Sequence, residues 1–438
     1  MALTTKTTVD HPSCEHLAAA RTNSRWPMVL CWLTVLLDGF DLVMLGAVIP
    51  TLLKTKHLGF TVASATSVAT ASLVGVAIGA ALGGPLADRL GRRTILLVSI
   101  ANFSVFTLAV PFSTSVTMFA AFRLLAGLGL GACLPVALTF MSEHMPDENR
   151  SHASTLTMTG YHVGAVIVSL VAIAVVSHWQ IVFCLGGIAG FLVLPLMWWK
   201  LPESHQFLAA QTRDNRTKVS IMQPRMRANV GVWVGCFMGL LLVYGLNTWL
   251  PQLMNKAGYE LSSSLVMLFI LNVGAIIGLL VAGRLADRRG VRSTILLWFA
   301  AAAVLLALLS IRIQNAILLD TVVLVTGIFV FSAQTLIYAY ITHAYPTEVR
   351  GTVMGLAAGI GRFGAIVGPL VTGGLANAGL AYPWGFWFFS GVAVLGLLAI
   401  LTLPHEKDLL ATYLGGPKHG TALTGIGSMA TRIIAGMR

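Results

Sequence analysis

The sequence predicts an all-α integral membrane protein, with twelve transmembrane helices in two six-helix bundles related by a pseudo-two-fold axis. Three observations lead there. Hydrophobic residues make up 56% of the 438 residues and charged residues only 10%, against roughly 25% charged in soluble domains; mean hydropathy is +0.83. Twelve apolar runs each approach or exceed the ~20 residues a helix needs to cross a bilayer. A charged turn also occurs twice, as Gly84-Pro-Leu-Ala-Asp88-Arg-Leu-Gly-Arg-Arg93 and Gly283-Arg-Leu-Ala-Asp287-Arg-Arg-Gly-Val-Arg292, each between two such runs. A second echo, Pro146-Asp-Glu148-Asn-Arg150 and Pro346-Thr-Glu348-Val-Arg350, sets the offset at 200 residues. Duplication on this scale marks a secondary transporter whose halves rock against each other.

Backbone groups in lipid must pair internally, and runs this long exceed the ~10 residues of a barrel strand, so all twelve are helices. The first run, about 26–53, follows a polar tail (1–25) and is too long and too acidic for a signal peptide. Runs at about 61–87 and 94–112 flank the first charged turn, those at 116–142 and 152–177 flank the Pro146 element, and 179–200 completes the first bundle, 26–200. A polar, basic linker (201–228) follows. The second bundle, 229–404, repeats the plan at about 229–255, 262–283, 293–311, 316–343, 352–377 and 383–403. The tail, 405–438, is small and Gly-rich.

Lys and Arg fix the expected orientation. With both termini inside, the inner segments hold 22 of them and the outer loops only 4, namely Lys54, Lys56, Lys256 and Arg312. Both termini are therefore expected in the cytoplasm. The net charge of +12 could suit nucleic acid, but it is spread over inner loops that face anionic headgroups. That excludes nucleic acid as a partner. The five cysteines (14, 31, 133, 184 and 236) are single, so neither a metal site nor a disulfide framework is expected. No HExxH, GxSxG or GxxxxGK[ST] element occurs, which argues against an enzyme and against ATP as the driver. No cofactor is expected beyond protons as the coupling ion, and the chain is read as a monomer. Inner segments of about 25–35 residues leave little room for a receptor's signalling domain.

Ionisable residues at membrane depth mark function by default. Asp38 and Asp41 in the first run are three apart and share one helix face. Two like charges this close in a low dielectric cannot both stay ionised cheaply, so one is expected to take up and release a proton. Structural bonding of both carboxyls is the alternative. Arg123 opens Arg123-Leu-Leu-Ala-Gly127-Leu-Gly129-Leu-Gly131, whose glycines permit close packing; it either pairs with Asp38 or Asp41 or binds a substrate anion. Arg362 lies in Gly359-Ile-Gly361-Arg362-Phe363-Gly364 with no acid at matching depth in its own half. Its planar fork suits a carboxylate; otherwise it pairs across the bundles with one of the two aspartates. His162 stands at the equivalent place one offset earlier and is either packing or pocket. Asn247, Trp249, Gln334 and Tyr338 supply amides and aromatic rings that suit a planar organic ligand, although aromatics near helix ends also serve as interfacial anchors.

Together these residues resemble the major facilitator superfamily. The resemblance rests on the two charged turns, on the Arg123–Gly131 pattern and on Glu143 through Arg150. It implies a cytoplasmic ion-pair gate made by Asp88, Arg89, Arg92, Arg93, Glu143 and Arg150, with Asp287 and Arg288 in the second copy. There Val291 replaces a basic residue, which weakens the latch. Asp38-Gly-Phe-Asp41 is similar to the D-G-x-D motif of the aromatic acid:proton symporter family, as are Gly359–Gly364 and the stretch around Asn247-Thr-Trp249-Leu-Pro251. Asp38–Val43 and Gln334–Tyr340 look most like the benzoate carriers. The resemblance implies import of a benzoate- or hydroxybenzoate-type acid, with Asp38 and Asp41 coupling protons. The alternative is another organic-anion carrier or a drug-type efflux antiporter. A Gly-Pro motif similar to that of the antiporters does occur, at Gly368-Pro369, but in the eleventh run rather than the fifth.

Overall fold

The computed structural model describes residues 26–144, 150–175, 178–204, 226–345 and 347–413; within helices, the side chains of residues 142–144, 150–155, 347–352 and 411–413 are left aside. The helices are α1 (Trp26–Thr55), α2 (Val62–Leu90), α3 (Arg92–Ala109), α4 (Val116–His144), α5 (Arg150–Ala174), α6 (Trp179–Lys200), α7 (Met226–Lys256), α8 (Leu261–Arg289), α9 (Val291–Leu308), α10 (Ala316–Ala344), α11 (Thr347–Asn377), α12 (Trp384–Leu401) and α13 (Glu406–Tyr413). Twelve of them are long and apolar enough to cross a membrane. No strand occurs among the described residues.

Glycine sets the pairing inside each half, and the pairs repeat. A Cβ on Gly75 of α2 would sit 2.1 Å from Leu124 O of α4, and one on Gly127 of α4 would sit 2.3 Å from Ser72 O. The second half matches this with Gly274 of α8 against Leu324 O of α10 (2.1 Å) and Gly327 against Leu271 O (2.0 Å). Gly39 and Gly164 join α1 to α5 in the same way, and Gly364 and Gly368 join α7 to α11. Without a hydrophobic drive between helices in lipid, such backbone approach supplies the packing.

The charged turns have a local meaning that the sequence reading did not foresee. Gly91 and Gly290 take φ of 96° and 86° and so join α2 to α3 and α8 to α9 without strain. A carboxylate then caps each following helix. Glu203 Oε1 accepts from the amides of Arg92 (2.9 Å) and Arg93 (3.1 Å), and Glu406 Oε1 accepts from that of Val291 (3.1 Å). In return, Arg93 donates to Trp198 O at 2.5 Å, and Arg292 donates to Leu403 O at 2.6 Å and Leu401 O at 3.1 Å. Negative charge at a helix start and positive charge at a helix end each complement the helix dipole. Both halves are tied internally by the same clamp. Its second acid opens α13, a helix in what read as a featureless tail.

The halves meet as α1 against α7, α2 against α11 and α5 against α8. They close at the ends opposite the termini. Gly46 lies so near α7 that a Cβ would sit 2.0 Å from Asn247 O, and one on Gly373 of α11 would sit 2.1 Å from Thr66 Oγ1 of α2. Toward the other ends of the same two helices, Gly84, Gly355 and Gly359 face open space. At the end away from the termini the two halves are therefore in close contact.

Candidate functional site

The two aspartates of α1, three residues apart and on one helix face, have different surroundings. Asp41 Oδ2 accepts from Arg123 Nη1 at 2.8 Å, with both side chains at most 2% exposed. Thr107 of α3 donates to Oδ1 at 2.7 Å. Arg123 also reaches Ser72 Oγ of α2 (3.1 Å) and stands 5.9 Å from the centre of the Phe183 ring of α6. Gly127 makes this possible, because it draws the Ser72 turn of α2 onto α4. The result is a sealed pair held within the first half, with only Arg123 Nε left without a partner.

Asp38, one turn earlier, is 2% exposed and its Oδ1 has no hydrogen-bond partner. Both Arg362 of the opposite half and Asp41 of its own helix act on its charge. Arg362 in turn makes no ion pair among the described residues; it donates to Tyr244 OH of α7 at 2.9 Å, with its guanidinium 6.0 Å from that ring's centre. Gly361 and Gly364 press α11 onto α7 and so bring these two groups together. A buried carboxylate and a half-buried guanidinium therefore face each other across the seam without touching.

Around them lies a wall of amides and phenols with spare hydrogen-bonding capacity. Asn272 of α8 donates to Asn247 Oδ1 at 3.1 Å and to Leu268 O at 3.0 Å, which leaves Asn247 Nδ2 and Asn272 Oδ1 without partners. Both polar atoms of the Gln334 amide and the Tyr161 hydroxyl are also buried and unpartnered. Gln334 packs on Gly239 and faces Cys236 and Tyr338. His162 stands edge-on between the rings of Tyr161 and Phe331, each 5.2 Å away, and faces Asn272 with Nδ1 unpartnered. Buried polar atoms without partners are rare in a finished interior, and their concentration here makes this wall the candidate binding surface.

Other expected residues fall elsewhere. Trp249 is fully buried at the closed end of the seam, where Gly373 and Thr66 pack against it. Arg123 faces inward to Asp41, not to the seam. Asp88 pairs with Arg92 at 2.8 Å one turn away, and Arg93 belongs to the clamp described above. Arg89, Asp287 and Arg288 make no ion pair among the described residues. The side chains of Glu143 and Arg150 lie outside the described residues. Sequence reasoning missed Tyr161, Tyr244 and Asn272 at the site, and Ser72 and Thr107 behind it. A polar residue within an apolar run was the available signal for Asn272. The paired Leu201-Pro-Glu203 and Leu403-Pro-His-Glu406, each just past the last helix of its half, were the signal for the clamp.

The profile of the Major Facilitator Superfamily matches residues 31–369 and 273–434. A gallate transporter of Pseudomonas putida is 32% identical, with 87% of this chain and 92% of that one covered. A benzoate transport protein of Acinetobacter baylyi is also 32% identical over 87% of this chain and 89% of its own. The 4-hydroxybenzoate transporter PcaK of Pseudomonas aeruginosa is 30% identical over 90% and 92%. Among solved structures, a D-xylose-proton symporter superposes with a TM-score of 0.72 at 18% identity, covering 87% of this chain and 98% of that one. At that identity the likeness concerns the fold.

Proposed function

The chain belongs to the Major Facilitator Superfamily, and from that premise we propose that it is a proton-coupled symporter for a small aromatic carboxylate of the benzoate or hydroxybenzoate kind. It works by alternating access in a bacterial inner membrane with both termini in the cytoplasm, so the contacts at Gly46 and Gly373 close the outer side of the seam. The observation that carries the reading is the contrast between the two aspartates: Asp41 accepts from Arg123 and Thr107, whereas Asp38 makes no hydrogen bond or ion pair among the described residues and lies within the field of Arg362.

Charge balance then gives the coupling. In the empty site the negative charge of Asp38 and the positive charge of Arg362 cancel across the seam. An arriving carboxylate binds the free edge of the Arg362 fork, beside Tyr244, and leaves Asp38 uncompensated. A proton on Asp38 restores neutrality. Empty and doubly loaded sites are both neutral, whereas a site holding only the anion or only the proton carries a net charge. Buried net charge is costly in a low-dielectric site, so the halves rock readily only when both ligands are present or both are absent. The aromatic ring lies along Tyr161 and Tyr338, and the amides of Asn247, Asn272 and Gln334 meet ring hydroxyls.

The relatives named for gallate, benzoate and 4-hydroxybenzoate support the substrate class. The test is uptake of labelled benzoate and 4-hydroxybenzoate into proteoliposomes with an imposed proton gradient, with and without an uncoupler. Accumulation that the uncoupler abolishes is expected. Extrusion against an inward proton gradient would replace this reading with an exporter.

A further inference from the structure

Above the closed end of the seam lies a cavity of about 700 Å³, within the ~300–1,000 Å³ usual for small-molecule pockets. Pro50, Leu53 and Lys54 at the end of α1 form one wall, Gln252 and Lys256 at the end of α7 the other, and Glu260 stands at the start of α8. Lys54 and Lys256 each lie in the last turn of the first helix of their half, so the internal repeat brings two ammonium groups to one space. Neither makes an ion pair among the described residues. Gln252 is only 5% exposed, lines the same cavity and makes no hydrogen bond among the described residues. Glu260 is the single acid there, so the lining keeps a net positive charge. Directly beneath, Gly46 and Asn247 form the closure that separates this cavity from Asp38 and Arg362.

We infer that this vestibule is a separate capture site for the carboxylate anion, filled while the central site faces the other side of the membrane. The carboxylate sits between Lys54 and Lys256 with the Gln252 amide as a further donor, and the ring lies against Pro50 and Leu53. When α1 and α7 part, the same motion that opens the central site draws the two lysines apart and releases the anion inward. A positively lined mouth raises the local concentration of an anion and speeds its entry, and salt screens the effect. This inference rests on the anionic substrate proposed above.

Charge changes of opposite sign test it. For benzoate and 4-hydroxybenzoate uptake, Lys54→Gln and Lys256→Gln are each expected to raise KM roughly two- to fivefold, the weight of an exposed charge pair, while the rate at saturation holds. Glu260→Gln is expected to lower KM, and the double lysine variant to lose most of its dependence on salt. A merely structural role would not reverse sign with the charge. A second measurement does not need transport. Ser262→Cys places a thiol on the cavity wall, and an anionic methanethiosulfonate is expected to react there faster, relative to a cationic one, than it does once both lysines are Gln. Unchanged KM in the double variant overturns the inference, as does a reagent preference that ignores the lysines. If the wild type takes up neither acid, the proposed function fails, and the reagent ratio alone still decides whether this mouth gathers anions.

Discussion

Asp41 and Arg123 form a 2.8 Å ion pair sealed inside one half of the protein, so the arginine of α4 is spent on structure before any substrate arrives. Removing one partner of such a pair leaves a bare buried charge and costs about 3–5 kcal/mol. Asp41→Asn and Arg123→Gln are therefore expected to lower the melting temperature of the purified protein clearly. Asp38→Asn removes a charge that has no partner and should leave the melting temperature unchanged or raised.

The same contrast separates the aspartates in transport. Asp38→Asn is expected to abolish proton-driven accumulation while substrate counterflow persists, because the neutral amide mimics the protonated carboxyl. Asp41→Asn, where it folds, should impair both assays together. Normal accumulation by Asp38→Asn at neutral pH would move the proton site elsewhere.

Arg362 offers the free positive charge at the seam, and losing a charge-assisted bond to a buried anion costs ~2–5 kcal/mol, or roughly 30- to several-thousand-fold in affinity. Arg362→Ala should weaken benzoate binding by that much, and Arg362→Lys should recover only part, since an ammonium lacks the planar fork. Tyr244→Phe removes a hydrogen bond from the Arg362 guanidinium, worth about 1.5–3 kcal/mol because one partner is charged, and should cost no more than roughly a hundredfold. Benzamide should not compete. Titration of both ligands against purified protein checks all four outcomes.

The unpartnered amides predict a preference for ring hydroxyls. A site built to hydrogen-bond a hydroxyl discriminates against the analogue that lacks it, because its polar groups are then left buried and unpaired. 4-Hydroxybenzoate is expected to bind more tightly than benzoate, and Asn272→Ala to shrink the gap toward unity. Equal affinities in the wild type would remove the amides from ligand recognition.

Gly46 tests the outer closure. Its missing Cβ would lie 2.0 Å from a backbone oxygen of α7, and backbone cannot swing aside as a flexible side chain can. Overpacking of this kind costs about 1–3 kcal/mol, so Gly46→Ala should disfavour the closed outer face and slow turnover about tenfold or more. Outside-facing thiols placed along the seam, such as Thr248→Cys, should become more reactive. Unaltered turnover and labelling would mean that α1 and α7 do not close here.

Much of the architecture was legible because it depends on quantities that a chain carries residue by residue. Twelve apolar runs must be helices in a solvent without hydrogen bonds, and a repeat at an offset of 200 must give two similar halves. The same logic exposed Asp38, Asp41, Arg123 and Arg362, since any charge in lipid stands out. What they do to one another was not legible. Asp38 and Asp41 share a face of α1 and differ by one turn, a rotation of about 60° once the 3.6-residue period is counted. That small angle aims one carboxyl at Arg123, Thr107 and the inside of its own bundle, and the other across the seam at Arg362. Only the packing of α1 between α4 and α7 turns the angle into two environments. Likewise Glu203 and Arg93 are 110 residues apart, and only closure of the bundle makes them a clamp. Solvent preference acts on each residue singly and is written in the sequence; pairing depends on distance and direction between segments, which exist only once the helices are packed.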